Sequence, residues 1–230
     1  SIMPCTAKKY EIKRSKHMYS SGYQDTDIVI TTRELIRMIK QAGVEFLNLP
    51  EEKPDHILGD YTGAGTIFGV TGGVMEAALR TAYHLITKKE LGHVEFENVR
   101  GLKGVKETTV FIEGTEIRIA VAHGLGNVES VINRIREAKK KGEMPYHFVE
   151  VMACQGGCIG GGGQPYGITD GVRDQRTKGL YSDDEKSALR CSHHNPYVKA
   201  LYDEFLERPL SHKSHELLHT HYVPKPEYKK

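Results

Sequence analysis

Two cysteines four positions apart lie in the segment Glu150-Val151-Met152-Ala153-Cys154-Gln155-Gly156-Gly157-Cys158-Ile159-Gly160-Gly161-Gly162-Gly163-Gln164-Pro165, where a strand pattern runs into a loop with six glycines. Thiolates at that spacing reach one metal centre, and glycine lets backbone come close to a bulky inorganic group while offering N–H donors to its sulfurs. A flexible turn with two buried thiols has no need of four consecutive glycines between the Cys pair and Gln-Pro. A third thiol, Cys5, stands in Met3-Pro4-Cys5-Thr6-Ala7-Lys8-Lys9-Tyr10-Glu11 at the end of another strand pattern. Lys8, three residues on, places an ammonium where it can donate to an anionic inorganic ligand beside a thiolate-bound cluster, with Glu11 to hold it. Taken alone that pairing is weak, because an ordinary surface lysine fits it equally well.

Other segments carry less. Gly65-Thr66-Ile67-Phe68-Gly69-Val70-Thr71-Gly72-Gly73 puts an aromatic residue in a Gly-rich loop before a helix, without the spacing or the lysine of a phosphate-binding loop. His123-Gly124-Leu125-Gly126-Asn127 mimics half a dinucleotide fingerprint and reads as a helix entry, since the third glycine is missing from its place. Among the C-terminal histidines 212, 215, 219 and 221, His215 and His219 are spaced to bind zinc on a helix face, but no cysteine lies nearby to complete a site. Cys191 is expected in a helix of the tail as a packed or partly exposed thiol.

Local signals place these residues on elements. Thr31 and Glu34 form the Thr-x-x-Glu spacing of a capping box, predicting a helix over about 32–42 that closes at Gly43. A helix starting at Gly72-Gly73 would bury Val74, Ala77, Ala78, Leu79 and Ala82. Strands over 108–112 and 116–122, joined through Gly114, predict a hairpin. Asn127 is expected to cap a helix whose Val128, Val131, Ile132, Ile135 and Ala138 make one apolar face, and 147–152 reads as a buried strand. Farther on, Ser182-Asp183-Asp184-Glu185 reads as a second capping box. Asn195-Pro196 starts a helix that packs Tyr197, Leu201, Phe205 and Leu206 inward. Strands alternating with helices predict an α/β fold with a largely parallel sheet, whose ligands sit where strands end in loops.

Composition excludes several function classes. The 230 residues carry 32 Lys+Arg against 30 Asp+Glu, a net charge of +2 spread along the chain, so nothing in the charge pattern argues for nucleic acid or a membrane surface. The longest apolar stretches, such as 117–122, are strand-sized and far short of the roughly 18 residues that span a bilayer. Four cysteines are too few for a disulfide framework and point to a reducing, cytoplasmic setting. Ser1 and Ile2 read as the end of a buried strand, so the chain is expected to be a piece of something longer, or a mature or split product.

Taken together, the two cysteine segments and the Phe68 loop resemble the active-site domain of the iron-only ([FeFe]) hydrogenases, over essentially the whole chain. Residues 3–8 look like that family's second signature, 150–165 like its third, and 68–76 like the region connecting them. The end, from Ser192-His193-His194-Asn195-Pro196 to His219-Thr220-His221-Tyr222-Val223-Pro224, is similar to the segment that some members carry as a separate small subunit. The resemblance implies a catalytic domain over 1–180, lacking its upstream portion, and a small-subunit-like helical tail over 181–230. The implied fold is a mainly parallel twisted sheet flanked by helices, with two lobes around a buried cluster. The implied cofactor is the H-cluster, a [4Fe-4S] cubane joined through one cysteine sulfur to a diiron subcluster with CO, cyanide and dithiolate ligands, and the implied reaction is reversible reduction of protons to dihydrogen. By motif position Cys5, Cys154 and Cys158 are cubane ligands, with Cys158 the bridge. Lys8 would bond a diiron cyanide, Met3, Phe68 and Met152 would line the diiron pocket, and Pro4 and Gly69 would flank it. The fourth cubane cysteine and the proton-relay cysteine of the family's first signature would lie upstream of Ser1. Implied partners are that upstream portion or additional subunits, maturation proteins, and a ferredoxin or NAD(P)-linked electron-transfer subunit. A hydrogen sensor, an electron-transfer relative and an iron–sulfur assembly relative are the alternatives.

Overall fold

The computed structural model describes residues 1–52, 59–91, 96 and 99–224. In chain order its elements are β1 (Ile2–Met3), α1 (Lys8–Glu11), β2 (Ile30–Thr31), α2 (Thr32–Gln41), α3 (Gly63–Thr66), α4 (Gly73–Thr87), β3 (Val105–Ile112), β4 (Thr115–His123), α5 (Leu125–Lys140), β5 (Phe148–Met152), α6 (Asp170–Lys186), α7 (Pro196–Leu201) and α8 (His212–Leu218). Short 3-10 turns join several of them, and α7 runs on into a π turn over Tyr202–Leu206. Among the described residues no helix is long and apolar enough to cross a membrane.

The strands form a parallel pair, β1–β2, and a three-stranded sheet in the order β3-β4-β5. β3 and β4 are the antiparallel hairpin that the alternating pattern around Gly114 predicts, while β4 and β5 run parallel. The sheet is therefore mixed, its parallel part being the β4–α5–β5 crossover. Met75 and Leu79 of α4 pack with Val99, Ile119 and Val121 on one side of the sheet. On the other, Val128 and Val131 of α5 pack with Ala120 and Ala122. Because β4 is covered on both faces, its second half is continuously buried, whereas β5 is an edge strand with Phe148 and Val151 exposed. The expectation of a buried strand over 147–152 thus fails in burial but not in strand character. Ile2 in β1 is likewise exposed.

Other local expectations meet the structure unevenly. α2 starts at a true capping box, with the Glu34 amide donating to Thr31 Oγ1 at 3.2 Å and the Thr31 amide to Glu34 Oε2 at 2.7 Å. Asn195 caps α7 by accepting the amides of Tyr197 and Val198, with Pro196 in the first turn. α5 instead begins two residues before Asn127, whose side-chain amide turns back to donate to the His123 carbonyl at 2.8 Å. Ile132 on that helix is exposed, so its buried face is narrower than expected. Ser182 starts no helix: it lies near the end of α6, which is capped by Thr169 and runs unbroken through 181–185. Cys191 is buried but sits between α6 and a 3-10 turn, not in a helix. From the α7 region only Leu206 is fully buried, while Tyr197 and Phe205 keep substantial exposure.

A buried ionic seam joins α4 to α6. Arg80 is completely buried and clasps Asp184 with two hydrogen bonds of 2.8 Å while donating to Glu76 at 2.8 Å. Arg190 donates to Asp184 at 2.7 Å and Arg100 to Glu76 at 2.7 and 2.9 Å. Burial alone would favour neutral groups, but these partners keep Arg80 cationic and hold the Asp184 carboxyl below its usual range.

Candidate metal-cluster site

The parallel register sets His123 beside Met152, so the loops leaving β4 and β5 emerge together at the carboxyl ends of their strands. The loop after Met152 turns at Cys154, whose carbonyl accepts the Gly157 amide at 3.1 Å, and Cys158 opens a 3-10 turn closed by Gly161 donating to the Cys158 carbonyl at 3.0 Å. Its far end is pressed onto the first cysteine segment. The Gly163 amide donates to the Pro4 carbonyl at 3.1 Å, and a Cβ at Gly161 would stand 1.9 Å from that same oxygen. Gly157 holds φ at +92°, and a Cβ there would meet Met152 Sδ at 2.7 Å and the Thr71 nitrogen at 2.9 Å. At these positions the glycines are needed for protein backbone to pack on protein backbone, bringing Cys5 to Cys154 and Cys158.

α2 clamps the two segments. The Arg33 amide donates to the Gly163 carbonyl at 3.1 Å and its guanidinium to the Gln164 carbonyl at 2.5 Å, while Lys9 pairs with Glu34 at 2.8 Å. Cys5, Cys154 and Cys158 are all partly buried. Desolvation pushes the Cys158 thiol pKa up, the neighbouring Cys5 and Cys154 push it further, and Lys8 works against them. Cys158 is thus within electrostatic reach of Cys5, Cys154 and Lys8. Among the described residues, the groups of ligand atoms that all lie within 4.8 Å of one another are elsewhere, so the three are not set for a single ion. A cluster of several irons spreads its thiolates over its corners and suits this wider arrangement.

A cavity of about 590 Å³ opens beside Cys158, lined also by Met3, Pro4, Phe68, Gly69, Gln164 and Arg176. Met152 is outside that lining but sits behind the loop, its sulfur against Gly157. Lys8 is ion-paired to Glu11 at 2.7 Å, as the spacing suggested, and lines a neighbouring cavity of about 630 Å³ with Val151 and Ala153. The thiols, an adjoining cavity with soft and aromatic walls, and the Lys8 charge within electrostatic reach of Cys158, though outside that cavity's lining, fit a thiolate-bound iron–sulfur group with an anionic extension. Cys191 stands apart from them, and the charged groups acting on it are Arg80, Glu90, Arg190 and Asp184.

Three supporting residues escaped the sequence reading. His123, almost fully buried, accepts the Gly156 amide at Nδ1 (2.9 Å) and lies 3.2 Å from the Leu102 carbonyl at Nε2, so the proton sits on Nε2 and the ring braces the cysteine loop. Burial lowers its pKa and keeps it neutral. Glu150 takes the Gly72 and Met75 amides at 2.6 and 2.7 Å, fixing the start of α4 against β5. Lys106 lies near that carboxylate and donates to the Gly101 carbonyl at 2.7 Å, and burial depresses its pKa to about 8. An ionisable residue in the midst of a β-branched strand, as Glu150 and Lys106 both are, was the available signal.

Residues 1–162 match the family model of the iron only hydrogenase large subunit, C-terminal domain, and residues 170–225 match that of the iron hydrogenase small subunit. The NADP-reducing hydrogenase subunit HndD of Solidesulfovibrio fructosivorans is 52% identical over 223 residues, which are 96% of this chain and 37% of that protein. The cytosolic iron-sulfur assembly component 3 of Mus musculus is 33% identical over 98% of this chain and 48% of its own length. Among solved structures, an [FeFe]-hydrogenase HydA1 from Chlamydomonas reinhardtii superposes with a TM-score of 0.76 at 42% identity, covering 97% of this chain and 62% of that one. The chain thus spans between about a third and two thirds of the length of these relatives. With family models of both subunit types matched in succession along one polypeptide, this chain belongs to the iron-only hydrogenase family.

Proposed function

We propose that this chain is the greater part of an [FeFe]-hydrogenase catalytic domain that holds an H-cluster and catalyses reversible reduction of protons to dihydrogen together with protein outside these 230 residues. The observation that carries the reading is the convergence of Cys5, Cys154 and Cys158, with the Met3 and Phe68 cavity opening at Cys158. In this reading the three cysteines hold the [4Fe-4S] cubane, and Cys158, the cysteine on the cavity wall, also carries the diiron subcluster. When bound, such a cluster would relay electrons from the donor and supply the iron chemistry by which protons and dihydrogen interconvert. The chain's own residues do the rest: Lys8, steadied by Glu11, donates to an anionic ligand of the diiron unit, while Met3, Pro4, Phe68, Gly69 and Met152 shape the pocket around it.

Three thiols leave one corner of a cubane for a fourth ligand from an upstream portion or another subunit. The electron donor is a ferredoxin or an NAD(P)-linked subunit, and the setting is reducing and cytoplasmic. A second reading, an iron–sulfur assembly protein, draws support from the assembly-component relative.

One experiment separates them. In this chain complemented with the upstream half of a related hydrogenase and matured anaerobically, infrared bands of bound CO and cyanide are expected, with hydrogen evolution from reduced methyl viologen. Cys158→Ser abolishes those bands, whereas Cys154→Ser directly harms only the cubane. Full-strength bands in Cys158→Ser overturn the assigned bridge; iron–sulfur absorption without any CO or cyanide band in the parent favours the assembly reading.

A further inference from the structure

Away from the cysteine loop, a second set of ligand-type side chains gathers where the tail crosses the end of α4. His84 is near the end of α4, Glu90 follows that helix, and Cys191, His193 and His194 come from the connection between α6 and α7. The sulfur of Cys191 and one ring nitrogen each of His193 and His194 all lie within 4.8 Å of one another, and so do the ligand atoms of His84, Glu90 and His193. Glu90 Oε2 is 2.8 Å from His194 Nε2 and 3.5 Å from His193 Nε2, while its other oxygen is 2.9 Å from His84 Nδ1. A tetrahedral zinc ion at its usual distances of about 2.0–2.2 Å holds nitrogen and oxygen donors roughly 3.3 Å apart, a spacing that the 2.8 and 3.5 Å contacts bracket.

We propose that Cys191, His193 and His194 bind one divalent metal ion of the zinc class, and that Glu90, which faces both rings but shares no such group with Cys191, closes in as the fourth ligand and fastens the tail to α4. One buried thiol, two imidazoles and a carboxylate make the mixed donor set that zinc accepts in structural sites. Supporting contacts on the far side of two ligands are already in place. His193 Nδ1 lies 3.2 Å from Thr81 Oγ1, which fixes the ring so that Nε2 faces the ion, and His84 stands behind the Glu90 oxygen that points away from it. His193 is largely enclosed while His194 and Glu90 are partly open, which leaves a path for the ion.

The test uses the full chain with Cys5, Cys154 and Cys158 all changed to Ser, so that Cys191 is its one remaining thiol. Stripped with chelator and incubated with Zn²⁺, it is expected to keep one equivalent through gel filtration and to melt at higher temperature than the stripped form. Co²⁺ in place of Zn²⁺ gives sulfur-to-metal charge-transfer absorption that disappears in Cys191→Ser. His194→Gln, at a partly exposed position, keeps the far-ultraviolet circular dichroism and loses the metal, and Thr81→Val weakens binding by about 10–100-fold. Failure of the triple-Ser chain to retain Zn²⁺, or undiminished affinity in a folded His194→Gln variant, overturns the site.

Discussion

At the seam between α4 and α6, Arg80, Glu76 and Asp184 are completely buried, and each meets an opposite charge within 2.8 Å. At the cysteine loop the chemically important side chains stay partly open, and main-chain contacts of their neighbours fix them: Gly163 on Pro4, Gly156 on His123 and Thr71, Arg33 on Gly163. In the seam each buried carboxylate is already held by two arginines, Asp184 by Arg80 and Arg190 and Glu76 by Arg80 and Arg100. The loop instead gathers three thiols without closing their charge balance: at Cys158 burial and the nearby Cys5 and Cys154 disfavour the charged form, and Lys8 works against them. One region stores stability, and the other stores binding capacity.

The sharpest way to break this contrast is Arg80→Met, which removes the fully buried partner shared by two buried carboxylates and leaves Asp184 to Arg190 and Glu76 to Arg100. Stability should fall by about 3–5 kcal/mol in urea unfolding. A loss below about 1 kcal/mol, within the range typical of exposed pairs, would mean that the seam is wetter than its burial implies.

Gly161→Ala probes the other region. Its Cβ would collide with the Pro4 carbonyl, so the cysteine segments must part; overpacking of this kind typically costs about 1–3 kcal/mol. The larger relative effect should be on iron retained after anaerobic reconstitution. Iron content equal to the parent would show that the contact does not set the thiol spacing.

The smallest effect concerns Lys106 beneath the loop, and it depends on pH. Its folded pKa, about 8, lies below the 10.5 of the unfolded chain, so between those values the unfolded state binds more protons. Its contribution to stability should therefore rise as pH increases from about 8 to 10.5, with the full penalty of burying the charge felt below 8. Comparing urea midpoints of the parent and Lys106→Met across that range isolates the group, and parallel pH profiles would refute the assignment.

What the sequence made legible was local. Thr31 with Glu34, Asn195 with Pro196 and the Gly114 hairpin are decided by contacts a few residues apart, and they stand as read. The start of α6 at Thr169 went unread because Asp170–Lys186 is polar almost throughout and shows no apolar stripe. The Ser182 box within it was overridden because the helix, once started at Thr169, continued through it. Glu76 and Arg80, four apart, look like an ordinary solvent-facing pair; only the arrival of Asp184 from 104 residues away makes them interior. At the site, motif residues such as Cys158 and Phe68 were visible, while His123 and Glu150 were not assigned roles, because each acts through a distant backbone amide.

The pressing of the 158–163 turn onto Pro4 and Cys5 has a consequence for biosynthesis. Its two halves leave the ribosome about 150 residues apart, which at 5–20 residues per second is a delay of roughly 8–30 s. Throughout that interval the Cys5 thiol emerges without its companions, open to oxidation or to capture of stray metal. On the proposed reading, an iron–sulfur group held by all three cysteines can form only after residue 158 has emerged, and growth conditions that slow elongation or raise oxygen should lower the yield of loaded protein before they lower the yield of folded chain.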